Sequence, residues 1–144
     1  MFRRPSPTTI EVLLVHPGGP IWAHRDDGAW SIPKGEYLEP EDPLAAAQRE
    51  FEEETGARAE GPFTELGTIR QKSGKVVTAW ACEGDFDPAQ LRSNTCQVEW
   101  PRGSGKFQDV PEVDRAEWFS PDRAKQKVNE AQIPLIDALT ASTS

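Results

Sequence analysis

The chain has few cysteines and no long apolar run, and both absences narrow its class. Cys82 and Cys96 are the 2 cysteines among 144 residues, too few for the disulfide framework of a small secreted protein. Neither lies in a Cys-x-x-Cys motif, so we predict that both are reduced and structural. No stretch is apolar over the roughly 20 residues that a membrane helix needs, and no signal-peptide pattern is present. We therefore expect a cytoplasmic protein without a membrane segment.

Positive charge is also scarce in this sequence. Lys and Arg number 16 against 24 Asp and Glu, which gives a formal net charge of −8. Nucleic-acid backbones are bound through basic surfaces, so this balance argues against a nucleic-acid partner. The same charge would repel a polyphosphate unless metal ions and local cations reverse the field at its site.

Strands and helices are mixed along the chain, which predicts a single domain over residues 1–144. Alternating and β-branched residues predict strands over residues 9–15, 63–70, 75–82 and 113–119. Ser73–Gly74 fits a hairpin turn, and Ile21–His24 is expected to be extended. Residues 89–111 are predicted to form a functional loop because they are rich in glycine and polar residues. This mixture predicts an α+β fold, with a sheet between helices as an α/β/α sandwich.

Capping residues predict a helix over residues 43–55. Asp42 is a good N-cap, and Pro43 suits the first helical position, where its missing N–H needs no partner. Gly56 is a natural C-terminal stop.

A second helix is predicted near the C-terminus. Ser120 fits its N-cap and Pro121 its first turn, and we expect this helix to reach about Gln132. Pro134 is expected to break it, which leaves a short final turn over residues 135–139.

Three glutamates of the first helix share one face. Glu50, Glu53 and Glu54 stand at i, i+3 and i+4, whereas Glu52 points towards solvent. Like charges at these spacings repel by about 0.2–0.5 kcal/mol per pair. A divalent cation reverses that repulsion, and hard oxygen ligands select Mg²⁺ or Mn²⁺. For three glutamates alone, a solvated acidic face is the alternative interpretation.

The glutamates belong to a longer pattern of fixed spacing. Gly35 is followed after five residues by Glu41, and after seven more by Arg49–Ala57, which is Arg-Glu-Phe-Glu-Glu-Glu-Thr-Gly-Ala. This resembles the Nudix box: Gly, five residues, Glu, seven residues, then Arg-Glu-apolar-x-Glu-Glu-x-Gly-apolar. At average residue usage, such a match is expected at about one start in 10⁹. The resemblance covers about residues 8–140 and implies the Nudix fold, a mixed sheet between helices with the box as loop–helix–loop.

The resemblance also implies roles for the box residues. Nudix proteins typically hydrolyse a nucleoside diphosphate linked to another group, by attack of water on a phosphorus of the pyrophosphate bridge. On this basis Glu50, Glu53 and Glu54 are metal ligands. Glu41 and Arg49 are partners that hold the loop against the helix, and Gly35 is a position that needs backbone freedom.

The general base remains open at this point, because the family does not place it uniformly. Glu53 is the first candidate. Glu112 is the second, since it precedes Trp118 by six residues, where several family members carry an extra catalytic or metal-binding glutamate. Glu117 and Glu99 are weaker candidates.

Residues that could contact substrate are suggested by the entrance to the box. Residues 30–36, Trp-Ser-Ile-Pro-Lys-Gly-Glu, resemble the Pro-Lys-Gly variant of diadenosine polyphosphate and diphosphoinositol polyphosphate hydrolases. Lys34 can neutralise a substrate phosphate as a point charge. Arg25 is a further cation that could meet a long phosphate chain. Trp100, in the predicted loop, is the candidate for stacking on a base.

The leading hypothesis is a Mg²⁺-dependent Nudix hydrolase of a dinucleoside polyphosphate or a nucleoside triphosphate. A diphosphoinositol polyphosphate hydrolase is the runner-up, which the acidic composition disfavours. A hydrolase of oxidised nucleotides, a non-catalytic nucleotide-binding regulator and an acidic interaction module are further alternatives. The expected partner is a small nucleotide, and both monomer and homodimer stay open.

Overall fold

The computed structural model describes residues 1–34 and 41–144. Seven strands and three helices lie in this part of the chain. The strands are β1 (Phe2–Ser6), β2 (Thr9–Pro17), β3 (Thr64–Arg70), β4 (Val76–Ala81), β5 (Thr95–Glu99), β6 (Phe107–Pro111) and β7 (Val113–Phe119). The helices are α1 (Pro43–Thr55), α2 (Pro121–Lys127) and α3 (Ile133–Thr143), with short 3-10 turns at Pro88–Gln90 and Glu130–Gln132. Gly35 of the predicted box lies outside the described residues.

The central sheet contains β1, β2 and β7, with β2 in the middle, where Leu13 pairs with Trp118. β3 and β4 form a separate antiparallel hairpin. After β4 the chain runs parallel to the start of β1: the Phe2 N–H donates to the Cys82 carbonyl and the Gly84 N–H donates to the Phe2 carbonyl, each at 2.9 Å. This parallel junction joins the hairpin to the sheet, so the assembly is mixed, as the resemblance predicts.

Helices cover the central sheet on both faces. Leu14 points into a cluster with Ile136 and Leu139 of α3, whereas its neighbour Leu13 points into a cluster with Phe51 of α1. Because successive side chains of a strand point to opposite faces, these two clusters lie on opposite sides of β2. The predicted α+β sandwich is confirmed. Within the described residues, no helix has both the length and the hydrophobicity of a membrane span.

Helix α1 begins and ends where its capping residues predict. The Ala45 N–H donates to Asp42 Oδ2 at 3.0 Å, which satisfies one of the free donors of the first turn. At the other end, Gly56 adopts a φ of 83° and its N–H donates to the Glu52 carbonyl. This left-handed conformation favours glycine, so the stop at Gly56 is confirmed.

The predicted strands are confirmed for β2, β3, β4 and β7, with shifts of at most two residues at their ends. The turn between β3 and β4 is also as predicted. Its backbone closes through the Gln71 N–H to the Lys75 carbonyl and the Gly74 N–H to the Gln71 carbonyl, each at 2.8 Å.

The predicted long helix up to Gln132 is wrong. α2 ends at Lys127, and Val128 turns to an extended ψ of 156°. Pro134 starts a helix instead of ending one, because it lies in the first turn of α3, where its missing N–H needs no intrahelical partner. The short final turn expected over residues 135–139 is accordingly part of the longer helix Ile133–Thr143.

Two further segments differ from the prediction, and β1 was not predicted. Residues 89–111 contain the hairpin of β5 and β6 instead of an irregular loop. In these two strands only Val110 is buried, so they lack the alternation by which a half-buried strand is recognised. Ile21–His24 forms turns instead of extended structure, closed by the Trp22 N–H to the Gly19 carbonyl at 3.3 Å.

Candidate active site

Helix α1 carries Glu54 to a cleft on the protein surface. The cleft is lined by Trp22, Lys34, Glu54 and Glu112, together with residues from β2 and the α2–α3 connection. Glu54 is 8% exposed, and its Oε2 accepts a hydrogen bond from the backbone N–H of Lys34 at 2.8 Å. This bond attaches the chain before the box to the last turn of α1. Lys34 and Glu54, both predicted as site residues, therefore lie together.

Arg49 connects residue 41 to the glutamates of the helix. Its Nε and Nη2 donate to the two carboxylate oxygens of Glu41, each at 2.9 Å, in the bidentate geometry that suits a guanidinium. Its Nη1 donates to Glu50 at 2.9 Å and to Glu53 at 3.2 and 3.3 Å. The hydrogen bonds to Glu41, with those to Glu50 and Glu53, raise the pKa of Arg49. The contact between Glu41 and Arg49 that the resemblance implies is present.

The carboxyl group of Glu54 is electrostatically strained. Burial raises its pKa to about 8, and the nearby carboxylates of Glu50 and Glu112 act in the same direction. The amide and the positive charge of Lys34 oppose this shift in part. A carboxyl group in this state holds its proton at neutral pH unless a cation replaces it.

Glu112 lies between β6 and β7 and shares the electrostatic environment of α1. Burial raises the pKa of Glu112, with further increases from Glu50 and Glu53. Its backbone is held on both sides: the Glu112 N–H donates to the Asn94 carbonyl at 2.8 Å, and the Gly18 N–H donates to the Glu112 carbonyl at 3.0 Å. The Asn94 N–H in turn donates to the Glu53 carbonyl at 2.8 Å, which connects this segment to α1. The structure thus groups Glu112 with the glutamates of the box.

The two weaker candidates for a general base lie elsewhere. Glu99 accepts a hydrogen bond from the Gly103 N–H at 2.6 Å in the β5–β6 hairpin. Glu117 is exposed on β7, opposite Leu14. Neither is among the residues that line the cleft in the described part of the chain.

The glutamates fit a magnesium or manganese ion by the chemistry of their donors. Glu50, Glu53 and Glu54 offer carboxylate oxygens, the ligands that hard divalent cations prefer. As the side chains stand, no three acidic, histidine or cysteine residues of the described chain converge on one point for a metal ion. Arg49 accounts for this in part, because its guanidinium is bonded to Glu50 and Glu53. A cation would compete with Arg49 for these two carboxylates.

The aromatic side of the cleft differs from the prediction made for Trp100. Trp100 follows β5 at the end of the hairpin, is 43% exposed and is absent from the described lining of the cleft. Trp22 lines the cleft instead, and the guanidinium of Arg25 lies 5.3 Å from the centre of its ring. Arg25 therefore lies next to a residue of the cleft, and its contact with substrate stays a prediction. No pattern in the sequence distinguishes Trp22 from the other tryptophans, of which there are 5 in 144 residues.

Comparison with known proteins identifies the family of this chain. The family model described as NUDIX domain matches residues 5–139. A C. elegans Ap4A hydrolase in a binary complex is 20% identical, with a TM-score of 0.65 over 98% of this chain and 92% of that chain. The NUDIX domain of Shewanella oneidensis NrtR, complexed with ADP ribose, is 17% identical, with a TM-score of 0.64 over 99% and 83%. The E. coli ORF135 protein is 24% identical, with a TM-score of 0.55 over 91% and 80%. No curated protein matches the chain.

Proposed function

We propose that this pyrophosphohydrolase of the NUDIX family acts on a nucleotide with a long phosphate chain. The substrate is either a dinucleoside polyphosphate or a nucleoside triphosphate. The observation that carries the proposal is the cleft in which Lys34 lies beside Glu54 and Glu112. Carboxylates that are destabilised by burial and by each other suit a cation, and a cation with a lysine suits a polyphosphate. The Ap4A hydrolase among the similar structures agrees with this class of substrate.

Glu50, Glu53 and Glu54 would hold Mg²⁺ or Mn²⁺. What the cation supplies when bound is neutralisation of the negative charge on the phosphates, on which pyrophosphate hydrolysis largely depends. The residues of the chain position the site and bind the substrate. Arg49 fixes the helix to Glu41, and Lys34 places a positive charge at the entrance, where it neutralises a phosphate of the substrate.

Glu112 is the proposed general base, in preference to Glu53. It lines the cleft, and a raised pKa makes a carboxylate a stronger acceptor for the proton of the attacking water. Glu53 is less suited, because its carboxylate is bonded to Arg49. The fixed backbone of Glu112, held by Asn94 and Gly18, is what a positioned base requires.

The test is a panel of substrates with Mg²⁺, in which products are separated by chromatography. The panel contains dinucleoside polyphosphates, nucleoside triphosphates, ADP-ribose, NADH and diphosphoinositols. We expect turnover of one of the first two classes. Loss of the proposed base in Glu112→Gln is expected to lower kcat by about 10²–10⁴-fold. Loss of a metal ligand in Glu53→Gln is also expected to lower kcat.

The chain offers matched controls for both variants. Glu52→Gln changes an exposed glutamate of the same helix, and Glu117→Gln an exposed glutamate of β7. Both should retain the activity of the wild type. Turnover of diphosphoinositols alone would contradict the proposed substrate class. If Glu112→Gln is fully active while Glu53→Gln is not, Glu112 is not the base.

A further inference from the structure

One of the five tryptophans differs from the others in its surroundings. Trp30 also borders the cleft but is only 1% exposed, and Trp118 donates its indole N–H to the Phe86 carbonyl at 2.9 Å. Trp80 pairs within the β3–β4 hairpin, and Trp100 lies beyond β5. Trp22 is half-buried, lies in a turn and lines the cleft that contains Glu54 and Glu112. We propose that Trp22 is the platform on which the substrate's nucleobase stacks; this assignment rests on the proposed function.

The turn that presents Trp22 is tightly closed. The Trp22 N–H donates to the Gly19 carbonyl at 3.3 Å, and the Arg25 N–H donates to the Trp22 carbonyl at 3.0 Å. Gly19 has a φ of 94°, and a Cβ added there would lie 3.2 Å from the Val110 side chain. The turn is therefore packed against β6 where it begins. A platform needs this kind of support, because stacking yields little if the ring must first be ordered.

His16 holds the other end of the turn. It is fully buried, and its Nε2 lies 2.6 Å from the Arg25 carbonyl, to which it donates. Its Nδ1 lies 2.8 Å from Asp114 Oδ1 on β7. The imidazole thus connects the end of the turn to the central sheet.

A backbone hydrogen bond joins the segment that leads to Trp22 to the segment that carries Glu112. The Gly18 N–H donates to the carbonyl of Glu112, the proposed base, and the turn with Trp22 follows directly. Trp22 and Lys34 line the same cleft. A base stacked on Trp22 would therefore have its phosphate chain within the cleft that holds Lys34 and Glu112.

Arg25 places a positive charge beside the Trp22 ring. Its guanidinium lies 5.3 Å from the centre of the Trp22 ring, in the range of a cation–π contact. The contact orients the indole, and the positive charge lies beside a cleft that must attract an anion to a protein of net charge −8. An aromatic ring beside a cation suits a nucleotide, which has both a flat base and charged phosphates.

The test compares binding of ADP with binding of inorganic tripolyphosphate, measured by titration calorimetry in Mg²⁺. Base stacking contributes about 1–3 kcal/mol, so Trp22→Leu should weaken ADP binding roughly 5- to 150-fold. Binding of tripolyphosphate, which has no base, should stay within about twofold of the wild type. Trp100→Leu is the matched control, and it should bind both ligands as the wild type does.

A conservative variant covers the case in which Trp22→Leu fails to fold. Trp22→Phe keeps an aromatic face, so it should retain most of the affinity for ADP. The change in tryptophan fluorescence on addition of ADP should disappear in Trp22→Phe and persist in Trp100→Leu. Thermal melts of each variant check that the fold is intact.

Several outcomes would overturn the platform. These are unchanged ADP affinity in Trp22→Leu, an equal loss for ADP and tripolyphosphate, or a loss of ADP binding in Trp100→Leu. A wild type that hydrolyses nucleotides but gives any of these results loses the platform alone and keeps the proposed function. A wild type that neither binds ADP nor hydrolyses any nucleotide of the panel loses both.

Discussion

Helix α1 carries glutamates on two sides, and their surroundings differ. On the cleft side, Glu54 is 8% exposed and accepts a hydrogen bond from the Lys34 amide at 2.8 Å. On the solvent side, the Glu52 side chain is 55% exposed and lies 3.7 Å from Arg58. Glu52 is a typical surface carboxylate, whose ion pair contributes little to stability. The same type of side chain two positions further along the helix is forced out of water.

Burial of Glu54 costs free energy that the exposed Glu52 does not cost. Burial raises the pKa of Glu54 to about 8, so the folded protein keeps a carboxylate there only at a considerable cost in free energy. Arg49 relieves part of the repulsion between Glu50 and Glu53, but its guanidinium does not remove the shift at Glu54. Strain of this kind is typical of sites whose partner is a ligand and not another side chain.

The largest expected difference between the two sides of α1 is a pH dependence of stability in the metal-free protein. Unfolded Glu54 loses its proton near pH 4.5, whereas folded Glu54 keeps it to about pH 8. The folded state binds more protons in this window, so the free energy of unfolding falls as the pH rises from 4.5 to 8. The slope for one proton is at most about 1.4 kcal/mol per pH unit. Urea unfolding at several pH values measures it.

The matched variants for this experiment are Glu54→Gln and Glu52→Gln. Glu54→Gln should remove most of the decrease in the free energy of unfolding between pH 4.5 and 8, and it should stabilise the metal-free protein at pH 8. Glu52→Gln should leave the decrease as it is in the wild type. Equal pH profiles for the two variants would mean that the two sides of α1 do not differ as described.

A smaller effect is expected at the residue that ends α1 behind Glu53 and Glu54. Gly56 has a φ of 83°, and a Cβ added there would lie 2.8 Å from the Cβ of Arg92. Gly56→Ala combines the cost of a left-handed conformation with this clash, so it should lower the free energy of unfolding by about 1–3 kcal/mol. Chemical denaturation gives the value.

Gly28→Ala separates the two contributions to that loss. Gly28 has a similar φ of 78°, but a Cβ there would meet nothing within 4 Å. Gly28→Ala should lower the free energy of unfolding by less than Gly56→Ala does, because only the backbone conformation is penalised. If both variants lower the free energy of unfolding by the same amount, the clash between the added Cβ and Arg92 contributes nothing to the effect of Gly56→Ala.

The cleft side of α1 was predictable because its determinants are local. The caps at Asp42 and Gly56 and the i, i+3, i+4 spacing of the glutamates depend on residues within one helix. The pairing of Glu41 with Arg49, which the resemblance implies, spans only 8 residues. Patterns of this kind can be recognised in the sequence without knowledge of the rest of the fold.

The aromatic side of the cleft was not predictable in the same way. Trp22 lies there because His16 contacts Asp114, 98 residues further along the chain, and because Gly19 packs on Val110. The β5–β6 hairpin was missed because its side chains are almost all exposed, so they show no alternation. Pro134 was misread for another reason: proline is compatible with both the end and the first turn of a helix, and the surrounding chain decides.

We propose that the cleft side of α1 binds a divalent cation and that the solvent side does not. The most direct measurement is the shift of the melting temperature with Mg²⁺ and with Mn²⁺, for the wild type, Glu53→Gln, Glu54→Gln and Glu52→Gln. A ligand that binds only the folded state at 100 times its Kd stabilises by about 2.7 kcal/mol. We expect a stabilisation that is lost in Glu53→Gln and Glu54→Gln and kept in Glu52→Gln. Equal shifts in all four proteins, or no shift in the wild type, would contradict it.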